Sequence, residues 1–309
     1  MANQLSGQEL YRWTVISRDG QPVAASNGLS LVPEHAMHDP VPLAALFLCG
    51  GINIQQAWDR ELGQWLRRLA QRHVALGGLC TGAYLLARAE LLKGYRCTIH
   101  WEHLASLREE FGGLVVSSEV FEVDRDRYTA SGGTAPLDMM LHLIGQQHGK
   151  ELASSISEVF ICERIRGRND RQRIPLKLRL GTSQPKLVEA VSLMEANIEE
   201  PMGPDELAHH VGLSRRQLER LFQKYLSTVP TRYYLELRLA RARQLLLQTN
   251  MSIVDVAFAC GFVSAPHFSK CYRDFFGIPP RDARRRRDEQ SLSPASEVHT
   301  SPSDNILQD

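Results

Sequence analysis

The chain has 309 residues, 43% of them hydrophobic, and its 36 basic and 35 acidic side chains leave a formal charge of +1; that length suits two domains with separate cores. No apolar stretch approaches the ~20 residues of a membrane span, and residues 1–9 lack a basic-then-apolar leader, so a cytoplasmic protein without a membrane partner is expected. Six cysteines, none in a C-x-x-C pair, speak against a zinc site or a disulfide framework, and no metal or cofactor is expected. In chain order, short apolar runs at Tyr11–Ser17, Leu43–Leu48, His73–Leu76 and Leu114–Ser117 read as strands. Phe121–Val123 and Tyr128–Ala130 read as a hairpin around Asp124-Arg125-Asp126. Helical spacing of apolar residues occupies Gln56–Gln71, Gly82–Leu92 and Ala135–Gln147. Strands alternating with helices predict an α/β domain with a largely parallel sheet over residues 1–165.

The segment with the most chemical character runs from Val74 to Ala87. A strand enters Gly77-Gly78, Cys80 falls on a sharp turn, and a helix follows whose first amides could stabilise a thiolate. This arrangement resembles the nucleophile elbow of the DJ-1/PfpI group of class I glutamine amidotransferase-like proteins. Cys80-Thr81-Gly82-Ala83, Leu91-Leu92-Lys93-Gly94, Thr98-Ile99-His100-Trp101 and Ala130-Ser131-Gly132-Gly133-Thr134-Ala135 are similar to the subgroup fused to AraC-type DNA-binding domains. The resemblance implies a flavodoxin-like parallel sheet without its first strand, since the opening strand and helix expected before Tyr11 are missing. It also implies a cleft at Cys80, Thr81, His100, Trp101, Gly50 and Gly51.

An enzyme would need Cys80 as nucleophile, His100 as base, amides near Gly50-Gly51 for an oxyanion, and an acidic partner that the group supplies from just after its first strand. That source is lacking, so no catalytic residue is assigned and the cleft is expected to bind a ligand. Tyr11-Arg12-Trp13, Ser17 to Val23, Ser131 to Met140 and Asp170 to Pro175 resemble regulators of carnitine and glycine-betaine catabolism. That implies a quaternary ammonium or amino-acid-like effector, with Trp58 and Trp101 either caging the cation or packed in the core.

Residues 166–184 are basic and without period, and read as a linker. Beyond them two patterns repeat: Asp205 to Phe222, and Ser252 to Phe268. In each, an Ala stands four residues before a Gly, at Ala208/Gly212 and Ala257/Gly261, and a Ser follows where a helix needs an N-cap. These are tandem helix-turn-helix units. Pro230 to Leu247 reads as one connecting helix of about 20 residues and ~30 Å, close to the ~34 Å between successive major-groove faces. The pair resembles the AraC/XylS family of transcription regulators, with Gly261 to Pro280 matching its C-terminal signature. An all-α domain is therefore expected at 185–287, and a disordered acidic tail at 288–309.

Residues 166–287 hold a net charge of +10 between acidic flanks of −4 (1–165) and −5 (288–309), as phosphate neutralisation requires. Helix phase turns Arg215, Arg216, Gln217, Glu219, Arg220 and Lys224 outward, with Leu218, Leu221, Phe222 and Tyr225 inward. Arg216 and Arg220 are assigned base edges. In the second recognition helix Phe268, Cys271 and Phe275 point inward, leaving Ala265, His267, Ser269, Lys270 and Arg273 outward. The family resemblance puts His267, Ser269 and Lys270 in the groove. Arg232, Arg238, Arg241 and Arg284–Arg287 are expected at phosphates or in solvent. The chain is thus expected to be a metabolite-responsive activator of a catabolic operon, a homodimer whose partners are promoter DNA, a small effector and RNA polymerase. The alternative is a cysteine-dependent hydrolase or amidase with a DNA-binding appendage.

Overall fold

A computed structural model describes residues 1–285 except 26, 27, 163, 168, 169, 174 and 175. The linker positions Arg168, Asn169, Ile174 and Pro175, the basic residues Arg286 and Arg287, and the acidic tail lie outside the described residues. In chain order the front half comprises α1 (Ala2–Ser6), β1 (Ile16–Ser17), β2 (Val23–Ala24), β3 (Ser30–Leu31), β4 (His35–Ala36), β5 (Ala45–Cys49), α2 (Arg60–Gln71), β6 (Ala75–Leu79), α3 (Ala83–Arg88), β7 (Arg96–Cys97), α4 (Leu104–Glu110), β8 (Val115–Val116), β9 (Phe121–Asp124), β10 (Arg127–Ala130), α5 (Ala135–His148) and α6 (Lys150–Val159). The rear half is helical: α7 (Leu176–Arg179), α8 (Pro185–Ala196), α9 (Pro204–His210), α10 (Arg215–Leu226), α11 (Pro230–Gln248), α12 (Ile253–Ala259) and α13 (Ala265–Phe276).

The central sheet runs β5-β6-β10-β9. Its first three strands are parallel, and β9 folds back antiparallel on β10 through Asp124–Arg127. A strand covered on both faces has no polar side to present, which is why β6 can be Ala-Leu-Gly-Gly-Leu and bury its middle residues. Helix α2 starts where Asp59 accepts from the Leu62 amide at 2.8 Å, and it buries Gly63, Leu66 and Leu69. With α3, Leu92 and Ile99 these residues form the main apolar core beside the sheet.

Two sequence expectations change here. The run Tyr11–Ser17 forms a strand only at Ile16–Ser17, which pairs with β4 rather than joining the central sheet. The linker region contains order that its missing period hid, namely α7 and a dense set of contacts to the front half. Those contacts need partners distant in sequence, so no local pattern announces them.

Candidate nucleic-acid interface and ligand cleft

Helices α9 and α10 form the first helix-turn-helix and α12 and α13 the second, joined by the 19 residues of α11, which span ~28 Å. Each recognition helix begins on the serine that the sequence singles out. Ser214 accepts from the Gln217 amide at 3.3 Å while Gln217 Oε1 accepts from the Ser214 amide at 2.8 Å, a closed capping box. Ser264 accepts from the His267 amide at 3.4 Å, and Pro266 sits in the first turn, where its missing N–H costs little. Both turn glycines are left-handed, Gly212 at φ +69° and Gly261 at φ +72°. Only Gly261 is also pressed against backbone: a Cβ there would stand 2.6 Å from the Ile198 carbonyl oxygen.

On α10, Leu218 and Phe222 are buried. Tyr225 is not, contrary to its inward assignment; it is 36% exposed, with the Lys224 ammonium 5.0 Å over its ring. Arg215 donates to Glu219 at 2.9 Å and pairs with Asp205 at 3.5 Å, so these side chains are engaged with one another. Gln217 has its carbonyl end in the cap. Arg216 and Arg220 are exposed one turn apart, and among the described residues no ion pair engages either. On α13 the core side is Phe268 and Tyr272. Cys271 is half-buried and packs against that core, as its inward assignment has it, whereas Phe275 is 45% exposed, correcting the inward assignment of that residue. Lys270 and Arg273 are exposed and Ser269 half-buried. The His267 ring lies edge-on to Phe262 at 5.9 Å, its Nε2 3.4 Å from Cys271 Sγ.

Two arginines expected at phosphates or in solvent are structural. Arg238 donates to the carbonyls of Cys260 and Gly261 at 2.8 and 2.7 Å and stacks over Phe262 at 4.2 Å, satisfying the end of α12 and bracing the second turn. Arg241 pairs with Glu109 of α4 at 3.7 Å, across the two halves. Burial pushes both guanidinium pKa values down.

In the front half, the carboxyl ends of β5, β6 and β10 converge, where open α/β sheets bind ligands. Cys80 sits there in the strained left-handed region at φ +57°. Gly132 packs so closely that a Cβ would come within 2.9 Å of Cys80 Sγ. The His100 amide donates to the Cys80 carbonyl at 3.3 Å, and His100 Nδ1 lies 3.6 Å from Glu102. The backbone thus brings Cys80 and His100 together, but burial pushes the Cys80 thiol up, away from a thiolate. The Gly50 amide donates to Leu79 at 3.0 Å, so it does not point into the cleft as a free oxyanion donor. Thr81 is buried, its hydroxyl donating to the Gly51 carbonyl at 2.7 Å to tie the two strand ends together.

The two tryptophans do not form one cage. Trp58 packs on Gly63 of α2, at the edge of the core. Trp101, 36% exposed, lies beside His100 with the two rings tilted at 38°, and over it at 5.0 Å lies a cation of the chain itself, the guanidinium of Arg173. Arg173 also pairs with Glu195 of α8 at 3.6 Å, where Arg179 joins at 2.5 Å. Its neighbour Gln172 donates to Thr98 Oγ1 and to the carbonyls of Ile99 and Glu119, within 2.9 Å in each case. Arg166 binds Asp138 and Thr134, at the start of α5 beside Gly132. The segment 166–184 is therefore fastened beside the residues expected to form the cleft. Apart from the resemblance carried by Asp170 to Pro175, its sequence signal was an excess of arginine.

An elbow-bearing α/β unit followed by paired, capped recognition helices defines a DNA-binding regulator with an α/β front domain. Residues 2–146 match the DJ-1/PfpI family and residues 207–286 a helix-turn-helix domain. The chain is 59% identical over 285 residues to the HTH-type transcriptional regulator GbdR of Pseudomonas aeruginosa, covering 92% of this chain and 78% of that one. The same organism's ArgR is 54% identical over 226 residues (73% and 69%), and its CdhR 45% over 276 residues (89% and 82%); both are HTH-type transcriptional regulators. The chain belongs to this family of AraC-type helix-turn-helix transcriptional regulators that carry a DJ-1/PfpI domain. It is a sequence-specific DNA-binding regulator rather than a hydrolase.

Proposed function

We propose that the chain is a metabolite-responsive activator of a catabolic operon, acting in the cytoplasm as a homodimer that engages promoter DNA and RNA polymerase. Residues 1–165 sense and dimerise, 166–184 link, and 185–287 read DNA, with 288–309 as an acidic tail. Arg216 and Arg220 take base edges in one major groove, and His267, Ser269, Lys270 and Arg273 line the next. Arg215 and Glu219 set the posture of α10, and Gln217 its start.

The observation that carries the sensing half of this reading is Arg173, which lies on Trp101 at the cleft and on Glu195 of the DNA-reading half at once. A quaternary ammonium or amino-acid-like effector entering beside Cys80 and His100 competes with that guanidinium for the Trp101 face. Displacing Arg173 loosens the linker and with it the position of α8. An effector shifts the regulator only by the difference in its affinity for the two linker states.

The test is a gel shift of the full chain on its promoter at several salt concentrations, with a thermal-shift screen of choline-derived and amino-acid metabolites. We expect steeply salt-dependent binding, weakened about tenfold or more by Arg216→Ala. One metabolite should raise the melting temperature and alter DNA occupancy. Binding that ignores salt and Arg216→Ala would remove the DNA assignment, and a flat metabolite screen would remove the sensing one.

A further inference from the structure

Beside the first recognition helix runs an open groove of about 550 Å³, between the start of α8 and one flank of α10. Its lining holds three cationic side chains, Lys186, Arg220 and Lys224, with glutamines and two leucines between them and, among the described residues, no carboxylate. Lys186 enters from α8 over the turn of the helix-turn-helix: its ammonium stands 3.9 Å from where a Cβ on Gly212 would lie. Within the chain Lys186 pairs with Glu189, one turn along α8 at 3.1 Å, both side chains being 47% exposed. Such a pair holds weakly and yields to a better-placed anion. Lys224 is exposed beside Tyr225, and among the described residues no ion pair engages it.

The phase of α10 fixes what can lie in this groove. At 3.6 residues per turn Arg216 and Arg220 form the outermost arc, opposite the buried Leu218 and Phe222. Arg215 and Glu219 make the flank toward α9, where the guanidinium is closed off by Glu219 and Asp205. Gln217, Leu221 and Lys224 make the other flank, which faces α8. A helix with its side chains is ~10–12 Å across and the major groove ~12 Å wide, so a helix that reaches base edges meets a sugar–phosphate strand on its flanks. The α9 flank has spent its arginine on carboxylates. The α8 flank keeps its cations for the strand, and the half-buried Leu213 and Leu221 offer the deoxyribose an apolar floor.

We propose that the groove between α8 and α10 seats the sugar–phosphate strand bordering the bases that Arg216 and Arg220 contact, with Lys186 and Lys224 each on one of its phosphates. Helix α8, which belongs to neither helix-turn-helix unit, is thereby a DNA-contacting element. The contact adds affinity and holds the register of α10 without reading sequence, because every nucleotide presents the same phosphate. The proposal rests on reading α10 as the helix that touches base edges, and it names what grips the backbone beside that helix.

Salt titration of binding tests it, using the full chain and a duplex that the chain selects from a random pool. Lys186→Gln and Lys224→Gln should each weaken binding about three- to tenfold at about 0.15 M salt, equally on single-base variants of the duplex. Each should also lower the slope of the logarithm of the binding constant against that of salt by about 0.9, the share of one phosphate. Both lysines are exposed, so the melting temperature should not move. Glu189→Gln breaks the same ion pair from its other side and should leave the slope no lower. A wild-type slope in Lys186→Gln overturns the proposal. So does an equal loss in Glu189→Gln, which would make the pair within α8, not a phosphate, the source of the effect. Arg216→Ala separates this outcome from the regulator reading. Base discrimination lost there, with the slope of Lys186→Gln unchanged, removes the phosphate contact alone, whereas a wild type indifferent to salt removes both.

Discussion

At the residue scale, the cleft holds a cysteine in the backbone posture of a nucleophile without the environment of one. Its left-handed turn places Cys80 against Gly132, while burial raises the thiol pKa and nearby Glu102 adds to that. Alkylation of the Cys80 peptide at pH 7, followed by mass spectrometry, should proceed no faster than a free thiol, and Cys80→Ser should leave DNA binding unchanged. Rapid modification of Cys80 would reopen the hydrolase alternative. His103 gives a second expectation. Burial, helped by His100, pushes its imidazole down to about 4. A histidine depressed in the folded chain contributes fully above its unfolded value of ~6.5 and loses that contribution as pH falls toward the folded value, because the unfolded chain takes up the proton first. The loss is on the order of 2 kcal/mol by pH 5. Melting curves at pH 7 and pH 5 should therefore differ more for the wild type than for His103→Gln; equal differences would contradict it. The Cys80 turn was legible because glycine spacing is local, whereas the depressed histidine was not, since burial belongs to the packed chain.

At the element scale, the two helix-turn-helix units are repeats whose resemblance hides different tolerances. Both turns need a left-handed glycine, but Gly212 meets nothing closer than the Lys186 ammonium at 3.9 Å, while Gly261 lies against the Ile198 and Glu199 carbonyls and Pro201. Gly212→Ala is expected to cost ~1–2 kcal/mol, the strain of an L-residue in that region. Gly261→Ala adds overpacking against backbone and should cost several kcal/mol. Chemical denaturation checks the pair, and equal losses would show that the 198–201 segment moves aside. Helix caps, turn glycines and the 3.6-residue period of α11 were all readable from sequence, because each is satisfied within one or two turns of chain. The inward assignments of Tyr225 and Phe275 failed, because periodicity names a helix face without saying what covers its edge.

At the scale of the whole molecule, the two halves are joined by more than a tether. Gln248 at the end of α11 accepts from Gln55 at 2.5 Å and from Ser106 at 2.6 Å, Arg241 reaches Glu109, and Arg173 spans Trp101 and Glu195. If this seam transmits the cleft's state, Arg173→Gln should leave basal half-site affinity within about twofold while abolishing any metabolite-dependent change in it. Glu195→Gln should do the same, and the double variant should add nothing further. The measurement is DNA affinity with and without the metabolite found by thermal shift. A full metabolite response in Arg173→Gln would place the coupling elsewhere.

Sequence by itself determined the class of this protein: an α/β half with an elbow at Cys80, a basic half with two capped recognition helices, and a spacer of the length that separates adjacent grooves. Each rests on interactions between residues close along the chain, so period, caps and glycines write them directly. Tertiary structure alone decided which basic residues are spent inside the protein and which remain exposed. Arg238 seals the end of α12, Arg215 is held by acidic neighbours and Arg173 rests on a tryptophan, while Arg216 and Arg220 stand exposed. The physical reason is that a guanidinium is satisfied by any carbonyl, carboxylate or ring that folding brings within a few ångströms. Such partners lie up to tens of residues away, and only the folded chain selects them.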